Sequence, residues 1–180
     1  MKAQEAHRIL SHWDKQGLYL FSKRDLAKLF DERGNTLTST VQWLEAAGIL
    51  ERMARGLFLY RFSERIGGTT IEDIAAGLRR GEYSFVSLES AASLWGFISQ
   101  IPVRRLTVMT TGREGEFRTP YGTVEFVHTD SKPEEILEST IERPGHPLRL
   151  ARKERALRDL LRCHRSEDLI DWEKLEDGED

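Results

Sequence analysis

Between Leu18 and Arg61 the chain carries several short apolar periodicities in succession, none long enough to fold alone. They must share one small core, and that requirement restricts the fold more than any other feature. Ser22-Lys23-Arg24-Asp25 has the spacing of a capping box, the serine oxygen taking an early helix amide while Asp25 reaches back. It predicts a short helix through Leu26, Leu29 and Phe30, closed by a turn at Gly34-Asn35. Leu37, Val41 and Leu44 then recur at helical spacing over about residues 36–47, with Gly48 as the stop. Two β-rich runs, 49–53 and 57–61, flank Ala54-Arg55-Gly56 in the pattern of a hairpin. Upstream, Ala6, Ile9, Leu10 and Trp13 form the stripe of a helix over about residues 3–15, and residues 18–21 suit a brief strand.

Helix, small strand, helix, turn, helix, hairpin is the order of a winged helix-turn-helix, expected here over residues 1–66. In such an arrangement the first helix and the hairpin complete the core, leaving the second helix of the pair exposed along one edge. That edge can enter a major groove. With Leu37, Val41 and Leu44 inward, Thr38, Ser39, Gln42 and Glu45 project outward. Thr36, Thr38 and Ser39 suit phosphate or base edges, and Gln42 suits adenine. Ser22, Lys23 and Arg24 stand where helix amides and positive charge favour phosphate. Arg55 at the hairpin tip suits a phosphate or the minor groove, with Arg52 supporting it. Trp43 is expected in the core, as large aromatics usually are.

Gly67-Gly68 marks the expected junction to a second domain over residues 67–165. Helical signals at 69–78 and 87–95 and β-rich runs at 105–110 and 123–128 predict a small α+β domain with a short antiparallel sheet, Tyr121-Gly122 supplying a turn. A last helix is expected over 151–163, with Ala156, Leu157, Leu160 and Leu161 on one face. Its surroundings are the most basic stretch: Arg149, Arg152, Lys153, Arg155, Arg158, Arg162 and Arg165. Pairs such as Arg155–Asp159 and Glu154–Arg158 predict a salt-bridged exposed face. The alternatives are a second nucleic-acid surface or a dock for the acidic tail, residues 166–180.

The net charge of −3 hides this asymmetry, residues 1–66 carrying +3, 67–165 carrying +1 and 166–180 carrying −7. No part is as basic as a non-specific nucleic-acid binder. The apolar runs are too short for a membrane-spanning helix, and the N-terminus lacks the apolar core of a signal peptide, so a soluble cytoplasmic chain without membrane partners is expected. One cysteine, Cys163, allows neither an internal disulfide nor a cysteine zinc site. Nucleophile-elbow, phosphate-loop, dinucleotide and zinc-protease motifs are absent. Cys163-His164 are sequence neighbours that a helix would point about 100° apart. His128 and Asp130 lack a third metal ligand and suit a surface pair. The expectation is a non-enzyme with no catalytic residue, metal or cofactor.

Three segments also carry a family resemblance. Gly48-Ile49-Leu50-Glu51-Arg52 with Arg55-Gly56-Leu57-Phe58, the run Val86 to Gly96, and the run Leu150 to Leu161 resemble, in order, segments of the AbiEi-like antitoxin-regulators of abortive-infection type IV toxin–antitoxin systems. Arg155 stands where that family usually has lysine, and the chain is on the short side for the family. The resemblance implies an N-terminal winged helix-turn-helix that represses its own operon at promoter repeats. It also implies a C-terminal antitoxin domain and a nucleotidyltransferase-like toxin opposed without a stable complex. The resulting expectation is an autorepressing, sequence-specific transcriptional regulator of double-stranded DNA. A winged-helix protein-interaction module without specific DNA binding is the alternative.

Overall fold

The computed structural model describes residues 2–99 and 103–176, and the chain divides into two compact units, Met1–Leu78 and Arg79–Asp180. Among the described residues the fold is mixed α and β, with eight α-helices and sheets of three and six strands. No described helix is long and apolar enough to cross a membrane.

The first unit runs α1 (Ala3–Lys15), β1 (Leu20–Ser22), α2 (Lys23–Phe30), α3 (Gly34–Ala46), β2 (Leu50–Ala54), β3 (Leu57–Tyr60) and α4 (Thr70–Leu78). Ala6 and Leu10 of α1, Leu26 and Phe30 of α2, and Leu37, Val41 and Leu44 of α3 meet Phe21, Ile49, Leu50, Phe58 and Tyr60 in one core. Each large side chain buried there contributes about 1.5–3 kcal/mol, which no single one of these helices gains alone. The three strands form an antiparallel sheet in the order β1-β3-β2, with Leu20 opposite Leu59 and Leu50 opposite Tyr60. A register shift between Arg52 and Ala54 makes Met53 the extra residue of a bulge, and Met53 turns inward while Arg52 stays exposed. The hairpin closes through Arg55-Gly56, where Gly56 takes a φ of 81° that suits only glycine comfortably.

The diglycine does not end this unit. Helix α4, which the sequence assigns to the second domain, lies with the first: Tyr19 donates its hydroxyl to Asp73 at 2.6 Å, and Ile74 and Ala75 are fully buried. Burial pushes the Asp73 carboxyl upward, and the Tyr19 hydrogen bond works against that. A Cβ on Gly77 would meet the Leu57 side chain at 3.2 Å, so a glycine inside α4 permits the helix to approach β3 closely.

The second unit contains β4 (Ser84–Val86), α5 (Leu88–Trp95), β5 (Arg105–Thr110), β6 (Gly115–Thr119), β7 (Gly122–His128), α6 (Pro133–Glu138), β8 (Thr140–Ile141), β9 (Arg149–Ala151), α7 (Lys153–Arg162) and α8 (Trp172–Glu176). The expected short antiparallel sheet is corrected by a six-stranded mixed sheet ordered β6-β7-β5-β4-β9-β8. Strands β5 and β7 run parallel, as do β4 and β9. The Tyr121-Gly122 turn exists but joins β6 to β7, because Phe117 is the one large apolar side chain of β6 and its strand signal is weak. The acidic tail is structured as far as residue 176: a 3-10 turn at Glu167–Leu169 leads into α8, and Lys153 Nζ donates to the carbonyls of Lys174 and Leu175. The last four residues of the tail lie outside the described ones.

The basic stretch is not a simple exposed face. Arg155 is 2% exposed and Asp159 3%. Arg155 Nε reaches both Asp159 oxygens at 2.9 and 3.0 Å, its Nη1 donates to Ser139 Oγ at 3.1 Å, and its Nη2 donates to Ser131 Oγ at 3.0 Å. Its guanidinium carbon lies 5.0 Å from the centre of the Phe85 ring, and Ser87 donates to Asp159 at 2.7 Å. A planar cation with three donor nitrogens suits this arrangement, since Nε, Nη1 and Nη2 each donate in a different direction, to Asp159, Ser139 and Ser131. Arg158 pairs with Glu135, Arg149 with Glu142, and Arg165 with Glu89 and Glu125. These cations are knitted into their own unit.

Candidate nucleic-acid interface

Helix α2 begins where the sequence predicted. Asp25 N donates to Ser22 Oγ at 3.1 Å and Ser22 N donates to Asp25 Oδ2 at 2.8 Å, closing both halves of the capping box. Lys23 N donates to Gly56 O at 3.0 Å. These bonds have two consequences. The amides of Ser22, Lys23 and Asp25, at the helix start expected to greet a phosphate, are instead satisfied internally, and the hairpin tip is fastened beside the start of α2.

A groove of about 540 Å³ lies between α3 and the hairpin, lined by Lys23, Thr38, Val41, Gln42, Arg52, Arg55, Gly56 and Phe58. Five of the nine side chains selected from sequence, Lys23, Thr38, Gln42, Arg52 and Arg55, therefore converge from three elements: the start of α2, helix α3 and the β2–β3 hairpin. Val41, Gly56 and Phe58 provide an apolar floor. Lys23 Nζ donates to Thr38 Oγ1 at 3.0 Å, and Thr38 in turn donates to Gly34 O at 3.0 Å. Among the described residues no carboxylate pairs with Lys23, Arg24 or Arg55.

The other four selected residues lie elsewhere. Ser22 serves as the helix cap. Arg24 is exposed on α2 but does not line the groove. Thr36 and Ser39 are exposed on α3 but turned away, Thr36 by about 160° from Thr38 and Ser39 by about 60° from Gln42. Trp43 is corrected as well: it is 42% exposed and not a core residue, because it lies about 100° round the helix from Leu44.

Arg52 does not support Arg55 as expected. Its Nε and Nη2 donate to Glu45 Oε1 and Oε2 at 2.9 and 2.8 Å, and its guanidinium carbon sits 5.3 Å from the centre of the Phe58 ring. The hydrogen bond to Glu45 raises the guanidinium above its ordinary value despite partial burial, so Arg52 stays charged. Glu45 was visible as an outward residue of α3. Its pairing seven positions on, across a helix and a strand, leaves no periodic mark.

The two other sequence candidates are placed differently. His128 Nδ1 lies 2.9 Å from Gly112 O and its Nε2 lies 2.9 Å from Asp130 Oδ1, so both ring nitrogens have partners. The Gly112 carbonyl, then Asp130, holds this imidazole above its ordinary value. Burial, then Asp159, pushes the Cys163 thiol upward, away from thiolate character. His164 faces Glu167 at 3.3 Å.

No family model and no curated protein matches the chain. Among solved structures, the crystal structure of the RV2827C protein from Mycobacterium tuberculosis is similar, with a TM-score of 0.57 and 16% identity. The match covers 89% of this chain and 61% of that one, so this chain spans about three-fifths of that protein's length. At that identity the likeness is one of fold.

Proposed function

We propose that the first unit is a winged helix-turn-helix that binds double-stranded DNA, with α3 entering the major groove and the β2–β3 hairpin as its wing. One observation carries this reading: Lys23, Thr38, Gln42, Arg52 and Arg55 line one groove beside an exposed helix. An α-helix fits the major groove, and phosphate-seeking cations flanking polar side chains provide positioning and base contact in one place. Lys23 and Arg55 hold phosphates, Gln42 addresses a base edge, and exposed Arg24 and Ser39 add outer contacts, whereas Thr36 faces away from the duplex.

The chain as a whole acts as a transcriptional regulator, the autorepressing antitoxin of a type IV toxin–antitoxin pair, and not as an enzyme. The ordered resemblance of three segments supports this. Two of them fold as neighbours in the second unit, where β4 pairs with β9 and α5 packs on α7. Its partners are its own promoter DNA and, functionally, a nucleotidyltransferase-like toxin.

The exposed Trp43 favours the second reading, a module that docks protein. Fluorescence anisotropy against the DNA upstream of its own gene, with a scrambled duplex and a salt titration, decides between them. A preference of about a thousandfold or more supports a sequence-reading repressor. Equal weak binding, or affinity without the salt dependence of counterion release, overturns it.

A further inference from the structure

Arg52 differs from the other cations of the groove. Lys23 and Arg55 have no carboxylate partner among the described residues, whereas Arg52 is held on its Nε–Nη2 side by both oxygens of Glu45. The flat face of the same guanidinium is set over Phe58. A cation so paired is a poor phosphate anchor, because the adjacent carboxylate cancels its charge and repels a phosphate. What the pairing leaves open is the outer edge, with one N–H on Nη1 and one on Nη2 lying parallel in a plane fixed by Glu45 and Phe58. Two parallel donors in a fixed plane are the complement of the O6 and N7 acceptors of guanine in the major groove, and of no other base pair's edge in the same register. Phosphate asks for charge, whereas a base edge asks for oriented donors, and Arg52 retains the second while losing the first.

We propose that Glu45 is a positioning residue that converts Arg52 from a phosphate anchor into the groove's guanine reader. This rests on the DNA-binding reading above. Gln42 then addresses its base from the helix and Arg52 addresses guanine from the wing, while Lys23 and Arg55 hold the backbone.

The test is selection of duplexes from a randomised library by the full-length chain, by Arg52→Ala and by Glu45→Gln. It is followed by salt titrations on the wild-type consensus and on that consensus with its guanine pair replaced. Far-UV circular dichroism checks that each variant keeps its helix content. The wild-type chain is expected to enrich a motif with one dominant guanine and to prefer it roughly 5- to 150-fold over the replaced pair. Arg52→Ala loses that preference at that one position and keeps the rest of the motif. Glu45→Gln loses it too, although Arg52 is still present, and gains up to about one unit of salt slope as the freed guanidinium turns to phosphate. The double variant discriminates no worse than either single one. If both variants enrich the wild-type motif with the guanine intact, or if Arg52→Ala weakens all duplexes alike, the proposal is overturned while DNA binding stands. If the wild-type chain enriches no motif, the DNA-reading proposal falls and this one with it.

Discussion

Replacing Arg155 by Met removes one member of a buried ion pair and keeps most of the side-chain volume. The guanidinium supplies Asp159 with contacts at 2.9 and 3.0 Å, and once it is gone the carboxylate retains the Ser87 hydroxyl at 2.7 Å. The hydroxyls of Ser131 and Ser139 lose their guanidinium donor as well. At 3% exposure Asp159 has little recourse to water. Breaking such a pair from one side costs about 3–5 kcal/mol. At roughly 2 kcal/mol per molar urea, the unfolding midpoint falls by about 1.5–2.5 M. Arg155→Lys keeps the charge but not the three separately directed nitrogens, and is expected to lose about 1–3 kcal/mol. The double variant Arg155→Met, Asp159→Leu removes both charges and recovers most of the stability. Urea titrations followed by circular dichroism measure all three. A drop below about 0.5 M for Arg155→Met, or a double variant no more stable than Arg155→Met alone, refutes the reasoning.

Other perturbations have equally definite outcomes. Gln42→Ala is expected to cost about 1–3 kcal/mol on the preferred duplex and to relax base preference there, as read by anisotropy; an equal loss on scrambled DNA contradicts base reading. Arg55→Ala should weaken all duplexes alike and lower the salt slope by about one. His128 is expected to titrate above the ordinary 6.5 in an NMR pH series, and Asp130→Asn should bring it down. Because the folded value is the raised one, the His128–Asp130 attraction is fully present below about 6.5 and fades as pH climbs through the raised value. Ending the chain at Ile66 in place of Leu78 removes α4 and the fully buried Ile74, and should lower the stability of the first unit by about 2 kcal/mol or more in urea.

Local chemistry was legible in the sequence, and long-range pairing was not. The Ser22–Asp25 box, the Arg55-Gly56 turn and the stop at Gly48 act within a few residues, so their signatures are complete where they stand. The mixed sheet is different. Strands β4 and β9 have three residues each, and their parallel pairing joins segments with no local relation. Arg155 and Asp159 have the i, i+4 spacing of a surface pair, and partners brought from distant segments, the hydroxyls of Ser87, Ser131 and Ser139 and the Phe85 ring, make their burial tolerable. In the candidate groove, residue type and helical phase located Lys23, Thr38 and Gln42. The same reasoning also selected Thr36 and Ser39, since phase separates inside from outside but does not say which part of the outside meets the wing. Met53 shows a further limit: the bulge reverses the strand's alternation, which a strict period of two does not anticipate.

The parallel pairing of β4 with β9 bears on the order of folding. Phe85 meets Arg149 about sixty positions later, whereas the β2–β3 hairpin closes across two residues. Each doubling of the loop to be closed adds about 0.6 kcal/mol of entropy, so this contact forms late in any sequence of events. During synthesis the first unit can complete its own contacts once Leu78 has left the ribosome. The second sheet must wait for β9, and until then β4 presents an unpaired edge. The interval between those two moments is when a nascent chain of this kind most needs a chaperone, and when slowed translation ahead of residue 149 would be felt most.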